Sequence, residues 1–169
     1  MPFPFINKIK DTRVLNAVMA LAQRAGVNKA VTIACGATRA MTQADAGAWI
    51  NLDTAAGSIA TLPAATGSGL KYRFRVSVLA TSNSHIVKVS NTSDAMEGLA
   101  FLRDDTADNA VSFFAVAGTS DTVTLNRTTT GSCVIGEEIE VEDIAANRFH
   151  VRAFLANTGT PATPFSATV

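Results

Sequence analysis

The sequence predicts an all-β domain, of jelly-roll, β-sandwich or β-barrel-like type, preceded by an N-terminal arm and one amphipathic helix. Short apolar runs bounded by Gly, Pro, Asn, Asp and Thr recur along residues 30–169. Several of these runs alternate polar and apolar residues, which is the period of a half-buried strand. Beyond residue 30 no segment shows a strong helical period. We therefore divide the chain into residues 1–29 and residues 30–169.

The chain begins with the sequence MPFPF. Pro2 and Pro4 favour an extended backbone that cannot start a helix. Burying a large apolar side chain stabilises it by about 1.5–3 kcal/mol. Phe3 and Phe5 are therefore expected to need a surface against which they can pack.

Residues 11–25 form the one convincing helix of the sequence. Asp11 or Thr12 can cap its start, and Gly26 follows its end. Apolar residues at i, i+3, i+4 and i+7 give it one apolar face, which packs either on its own domain or on a partner. The residues expected to contact a partner are Phe3, Phe5, Ile9, Leu15, Val18 and Met19.

Residues 46–69 contain two short apolar runs, 48–52 and 59–62, on either side of a turn at residues 53–57. This pattern predicts a β-hairpin or a β-arch. The segment contains no nucleophile–base pair, metal-ligand cluster or phosphate loop. It predicts a structural element and does not indicate an enzyme.

The remaining strands are predicted from similar runs, and no internal sequence repeat is evident. In the strand at 72–78, Phe74, Val76 and Val78 are expected in the core, with Arg73 and Arg75 outside. The other predicted strands are 31–35, 85–89, 111–116, 123–125, 134–141 and 148–155. The tail after residue 155 is expected to be extended, since its prolines argue against a central strand.

Charged residues make up only 17% of the chain, and the formal net charge is zero. A surface of such low charge suits a protein that packs against copies of itself, and it argues against a nucleic-acid partner. The one dense basic cluster is Lys71, Arg73 and Arg75, which share one strand face. We interpret it as a solvated face in preference to a phosphate site.

Cys35 and Cys133 are the only cysteines, and their spacing matches no zinc motif. We expect small, free, buried thiols in preference to a disulfide. The sequence contains no run of 18 apolar residues, so it predicts no membrane-spanning helix. The first residues do not resemble a secretory signal. Synthesis in a cytoplasm is expected.

The titratable residues offer three candidate sites, and we favour a structural interpretation of each. Asp104, Asp105 and Asp108 resemble a calcium loop but lack the EF-hand spacing. Glu137, Glu138, Glu140 and Glu142 could suggest paired catalytic carboxylates, but three of them alternate on one strand face, which suits solvent or partner contact better than catalysis. His85 and His150 lie in separate predicted strands without a nucleophile motif. We expect no enzyme activity, no cofactor and no metal.

The order TQADAG, LDTAAG, TLPAATGSG and KYRF, followed by HIVKVSNTSDAMEG, IEVEDIA and TPFSAT, resembles a β-module of tailed-bacteriophage virion proteins. Head decoration (cement) proteins and some fibre-type proteins carry this module. The resemblance covers residues 42–169. It implies a structural virion protein and transfers no catalytic residue.

The resemblance leads to the hypothesis of a protein that decorates and stabilises the outer surface of a bacteriophage capsid. Its partners would be the major capsid protein and copies of itself, arranged as a homotrimer. Residues 1–29 would provide the attachment to the capsid or to another subunit, and the protein would reside on the virion surface. The alternatives are a fibre or receptor-binding domain that recognises a host glycan or protein, and a small hydrolase.

Overall fold

The computed structural model describes residues 31–105 and 110–169, together with the single residue Val14. The chain divides into two units, Met1–Ala30 and Val31–Val169, and the following account concerns the second. The predicted arm and helix, with the contact residues Phe3, Phe5, Ile9, Leu15, Val18 and Met19, lie outside the described residues. So does Asp108.

The described part is all-β, as the sequence predicts, and its strands form two mixed sheets. The seven-stranded sheet has the order β1 (Thr32–Ala34), β3 (Trp49–Leu52), β5 (Lys71–Val76), β10 (Glu138–Ala145), β11 (Arg148–Asn157), β7 (Ala95–Asp104) and β8 (Val111–Ala115). The five-stranded sheet has the order β12 (Phe165–Ser166), β9 (Thr122–Leu125), β6 (His85–Lys88), β4 (Ile59–Thr61) and β2 (Thr38–Ala40). A short 3₁₀ helix spans Gln43–Asp45.

The first six strands form three stacked β-arches. Each arch places one strand in the seven-stranded sheet and the next in the five-stranded sheet. Successive arches pair in parallel, β1 with β3 with β5 and β2 with β4 with β6. The runs at 48–52 and 59–62 therefore form a β-arch and not a hairpin, which resolves the two alternatives.

The arches repeat in structure although no repeat is visible in the sequence. Their connecting loops are residues 35–37, 53–58 and 77–84, so the spacing between corresponding strands changes from arch to arch. Because a sequence repeat is recognised by a fixed period, unequal loops hide it. A parallel stack of arches is also not among the architectures that the sequence predicts.

The later strands complete both sheets. β10 pairs antiparallel with β5 and with β11, whereas β7 runs parallel to β11 and antiparallel to β8. β9 pairs antiparallel with β6, and the short β12 lies at the edge of its sheet. Pro161 and Pro164 precede this edge strand, as expected for residues that cannot donate to a central ladder.

One hydrophobic core combines inward-facing residues of both sheets. Tyr72, Phe74 and Phe149 are the largest fully buried side chains of the seven-stranded sheet, and Val87 and Leu125 come from the other sheet. Two sheets that bury their facing sides against each other form a β-sandwich. Alternation along β5, residues 138–143 of β10 and residues 148–155 of β11 gives each strand one buried face, as predicted.

Two burial predictions need correction. β5 ends at Val76, and Val78, expected in the core, is 36% exposed because it lies in the loop of the third arch. Cys133, expected to be buried, is partly exposed in the loop before β10, whereas Cys35 is buried. Both thiols are free, as expected.

The carboxylate of Asp143, on β10, holds the loop that leads from the second arch to the third. It accepts hydrogen bonds from the backbone N–H groups of Thr66, Gly67 and Ser68, at 2.7–3.1 Å, and from the Ser68 hydroxyl at 2.6 Å. Burial opposes ionisation, but these hydrogen bonds outweigh it and lower the pKa of Asp143 to about 2.

We predict that Phe74→Ala lowers the free energy of unfolding by about 3–5 kcal/mol, because it removes a fully buried aromatic ring. Arg75→Ala should cost about 1 kcal/mol or less, since Arg75 lies on the outer face. Urea melts of both variants check the ranking. A larger loss for Arg75→Ala would mean that the register of β5 is shifted by one residue.

We predict that Asp143 makes stability depend on pH. A depressed folded pKa contributes stability that is complete above the unfolded pKa near 3.8 and disappears as the pH falls through about 2. A shift of this size corresponds to about 2 kcal/mol. Urea melts between pH 5 and pH 2 should therefore show the wild type losing its advantage over Asp143→Asn. Phe74→Ala removes no titratable group and is the control, so its difference from the wild type should not collapse in this way.

Candidate functional site: the outer face of the seven-stranded sheet

The outer face of the seven-stranded sheet brings distant residues into rows across neighbouring strands. The pairing registers define a charged row and a phenylalanine row. The charged row is Trp49, Arg73, Glu140 and Arg152, on β3, β5, β10 and β11. The phenylalanine row is Phe154, Phe101 and Phe113, on β11, β7 and β8.

Glu140 is the centre of the charged row. It accepts a hydrogen bond from Arg73 Nε at 3.1 Å and one from Arg152 Nη2 at 2.5 Å. Lys71 Nζ lies 3.8 Å from Glu140 and 3.1 Å from Glu142. Burial opposes ionisation of Glu140, but the hydrogen bonds from Arg152 and Arg73 prevail and lower its pKa. Glu140 is therefore ionised at neutral pH and neutralises part of the positive charge around it.

Trp49 contacts two guanidinium groups. The Cζ atoms of Arg73 and Arg75 are 5.9 and 5.6 Å from the centroid of its ring, which is cation–π distance. Arg75 Nε also donates a hydrogen bond to Asn51 Oδ1 at 2.8 Å. These contacts hold the indole and both arginines in fixed positions on an accessible surface.

The basic residues Lys71, Arg73 and Arg75 do share one strand face, as predicted from the sequence. Each of them already has an interaction partner within the domain. Lys71 and Arg73 face glutamates, and Arg75 bonds Asn51 and contacts Trp49. The prediction of a solvated strand face is confirmed, and the geometry gives the phosphate alternative no support.

The phenylalanine row is a continuous aromatic surface. The rings of Phe101 and Phe154 stack at 5.1 Å with an interplanar angle of 9°, and Phe101 meets Phe113 edge-on at 4.9 Å. Phe113 is 66% exposed and Phe154 59% exposed. Val111, Val134 and Ile135 are also exposed and line one shallow depression beside these rings. An apolar surface of this kind is typical of an interaction site.

The composition of this face suits protein recognition. Trp, Phe and Arg are enriched at protein–protein interfaces and among the residues that dominate their binding energy. Charge pairs beside an apolar aromatic surface provide both specificity and buried area. The face can therefore bind another protein surface without any catalytic group.

The other titratable residues singled out in the sequence serve the fold. His85 lies on β6, in the opposite sheet from His150 on β11. The buried His85 ring accepts the Ser58 N–H at Nδ1, 2.9 Å away, and donates from Nε2 to the Val78 carbonyl at 2.8 Å. Burial lowers its pKa, so the neutral ring links the loops of the second and third arches.

The glutamates of β10 lie on the outer face of the sheet, whereas the glutamate of the loop before β10 is buried. Glu138, Glu140 and Glu142 lie on the outer face, as predicted from their alternation. Glu137 is buried, and its carboxylate accepts the N–H groups of Ser132, Cys133 and Val134 at 2.6–2.7 Å. Burial raises its pKa despite these bonds. Glu137 therefore orders the loop that presents Val134 and Ile135.

In the described part, Cys133 Sγ lies 4.0 Å from Asp105 Oδ2 of the acidic loop, whereas Cys35 is buried in the core. Burial raises the pKa of the Cys35 thiol to about 11, and burial likewise raises the pKa of Cys133. Within residues 31–105 and 110–169, no three His, Cys, Asp or Glu side chains are grouped so as to hold a metal ion. In the same residues, no helix is long and apolar enough to span a bilayer.

Sequence reasoning missed Trp49 and the phenylalanine row. Phe101, Phe113 and Phe154 are far apart in the chain, and only the β11–β7–β8 register aligns them. The available signal was the presence of apolar residues at the alternate, outward positions of a strand, as at Val111, Phe113 and Ala115. Comparison with known proteins gave no match to a family model, to a curated protein or to a solved structure.

We predict that Glu140→Gln destabilises the domain by about 1 kcal/mol at low ionic strength, because it leaves Arg73 and Arg152 without their shared anion. The loss should shrink at about 1 M salt, where exposed charges are screened. Thermal melts in low and high salt measure this difference. Glu138→Gln is the matched control, since Glu138 makes no ion pair within the described residues. Equal losses for the two variants would contradict the central role of Glu140.

Proposed function

We propose that this chain is a structural protein of a bacteriophage virion that decorates the outer surface of the capsid. It binds the assembled lattice of the major capsid protein and has no catalytic role. The resemblance of residues 42–169 to the β-module of virion proteins is one support. The observation that carries the proposal is the exposed face of Trp49, Arg73, Arg152 and the phenylalanine row, which suits protein recognition.

The stabilising mechanism is thermodynamic. A protein that binds the assembled lattice and not its free subunits shifts the equilibrium towards the lattice by mass action. Each contact can be modest because it is repeated over the whole shell. A rigid β-sandwich suits this role, since it loses little conformational freedom when it binds.

Two elements share the attachment in this proposal. The N-terminal arm and helix anchor the protein through Phe3, Phe5 and the apolar helix face. The charged row around Trp49 supplies a second contact on the folded domain. The arm and the preformed face together give a bivalent attachment, in which each contact raises the effective concentration of the other.

We predict that deletion of residues 1–27 leaves a folded, soluble β-domain but abolishes binding to capsids. The remaining chain keeps the whole unit Val31–Val169, including its core. Co-sedimentation with capsids assembled from the cognate major capsid protein measures occupancy, and a thermal melt checks folding. Wild-type occupancy by the folded truncated protein would show that the arm is not the anchor.

The full-length protein with Trp49→Ala tests the second contact in the same assay. Loss of an interface tryptophan typically costs at least about 2 kcal/mol, so the apparent capsid affinity should fall more than about tenfold. Lys88→Ala, on the five-stranded sheet, is the matched control and should bind as the wild type does. Unchanged binding of Trp49→Ala would remove the sheet face from the attachment.

The receptor-binding alternative would use a different surface. A groove on the outer side of the five-stranded sheet is lined by hydroxyl, amide and guanidinium groups, which suit the hydroxyls of a glycan. Its lining includes Ser82, Asn83, Ser84, Asn126, Arg127 and Thr128. Saturable binding of the purified protein to host cells, lost on Arg127→Ala and independent of capsids, would favour this alternative.

A further inference from the structure

Among residues 31–105 and 110–169, β8 is an edge strand, and its own sequence lacks the features that normally prevent edge-to-edge pairing. It is the last strand of the seven-stranded sheet. Its sequence, VSFFA, contains no charge, proline or glycine, although natural edge strands are usually blunted by such residues or by a bulge. Its pairing with β7 is regular over its whole length. The strand is therefore competent to accept another strand.

The hydrogen-bond register shows which backbone groups point away from β7. The Asp104 N–H donates to the Ala110 carbonyl, and the Val116 N–H donates to the Gly98 carbonyl. In an antiparallel ladder, hydrogen-bonded pairs alternate with non-bonded pairs. The bonded residues of β8 are thus the even-numbered ones. The N–H and C=O groups of Val111, Phe113 and Ala115 point to the free edge.

The same three residues place their side chains on the outer face. Val111 is 52% exposed, and Phe113 is 66% exposed beside Phe101. The free backbone groups and the exposed apolar side chains therefore belong to the same residues, and they are centred on Phe113.

We propose that β8 pairs antiparallel with β8 of a second copy of this chain, across a two-fold axis at Phe113. Phe113 pairs with Phe113 of the other copy, and Val111 pairs with Ala115. The two seven-stranded sheets become one continuous sheet. The phenylalanine rows of the two copies join at the axis, where aromatic cross-strand pairs add stability.

The absence of charged residues along β8 supports a second copy of this chain as its pairing partner. A two-fold interface places each residue near its own counterpart, so a charged residue at the axis would meet its like. Residues 110–118 read AVSFFAVAG and contain no ionisable side chain. Self-pairing of this segment is therefore free of repulsion.

The small size of the contact is typical of a weak complex. Five residues a side, with one exposed phenylalanine and one exposed valine each, form an interface below about 1,200 Å², which is the class of weak and transient complexes. We therefore expect a dimer with a dissociation constant of about micromolar order. This two-fold pairing differs from the trimer expected from the sequence, and the mass of the complex separates the two.

Sedimentation equilibrium of the full-length protein, without capsids, tests the proposal. The wild type should show a reversible monomer–dimer equilibrium. Phe113→Glu places two like charges at the axis and should weaken association at least about a hundredfold. A thermal melt shows whether each variant is folded, and the exposed position of Phe113 favours folding.

A cross-linking experiment locates the axis. Hydrogen-bonded antiparallel partners have Cα atoms about 5.5 Å apart, within disulfide range. In a Cys133→Ser background, Phe113→Cys should form a disulfide-linked dimer on mild oxidation. Phe154→Cys is equally exposed on the same face but lies five strand spacings, roughly 24 Å, from its counterpart, and should not cross-link.

A dimeric wild type, weakened by Phe113→Glu and cross-linked only by Phe113→Cys, supports the proposal. A wild type that stays monomeric at several hundred micromolar, or that forms a trimer, overturns it. So does equal cross-linking by Phe154→Cys. None of these outcomes depends on capsid binding, so the pairing and the proposed function fail separately.

Discussion

The buried carboxylate of Asp143 joins the two halves of this domain. Asp143 lies on β10, in the part of the domain that pairs antiparallel. It accepts hydrogen bonds from the N–H groups of residues 66–68, in the loop that connects the second arch to the third. The loop must pass very close to β10 at this point. Gly67 has φ 78°, and a Cβ there would lie 3.2 Å from Ala145 Cα, so the clamp depends on glycine as well as on charge. Five donors to one ionised group, the three N–H groups and the Thr66 and Ser68 hydroxyls, explain how a buried carboxylate is tolerated here.

The position of this clamp also fixes the recognition face. With β10 held beside β5, Glu140 lies opposite Arg73, and Arg152 lies opposite Glu140 on the next strand. A slip of one residue would turn Glu140 towards the core and Ile139 towards solvent. The same register places Phe154 beside Phe101 through the close approach of β7 and β11. At Gly98, with φ 129°, a Cβ would lie only 2.0 Å from the Val151 carbonyl oxygen, so glycine permits this approach. The registers of β5, β10, β11 and β7 thus determine which side chains meet on the surface of the sheet.

The sequence predicts most strands of this domain, but it misses β2 and β7 and does not predict the long-range pairings. Alternation in β5, β10 and β11 identifies their buried faces, because a period of two is a property of a single strand. Val78 was misplaced because β5 turns into a loop after Val76, where alternation no longer reports the side of a sheet. The stacked arches, the clamp at Asp143 and the phenylalanine row depend on which strands become neighbours. That choice joins residues as far apart as Thr66 and Asp143, and no pattern within a short window encodes it.

The polar chemistry of the described residues is divided between the interior and one face. Asp143, Glu137 and His85 are buried, and each uses its ring or carboxylate atoms to hold backbone groups of loops. A side chain whose polar atoms are already hydrogen-bonded to a loop is not available to bind a substrate. Moving that side chain would also release the loop that it orders. The accessible groups, Trp49, Arg73, Arg152 and the phenylalanine row, are arranged over a broad sheet surface and do not converge on one point. Catalysis needs convergence on a reacting atom, whereas recognition of a protein surface needs an extended array of fixed side chains. The distribution of these groups therefore favours a protein that acts by binding.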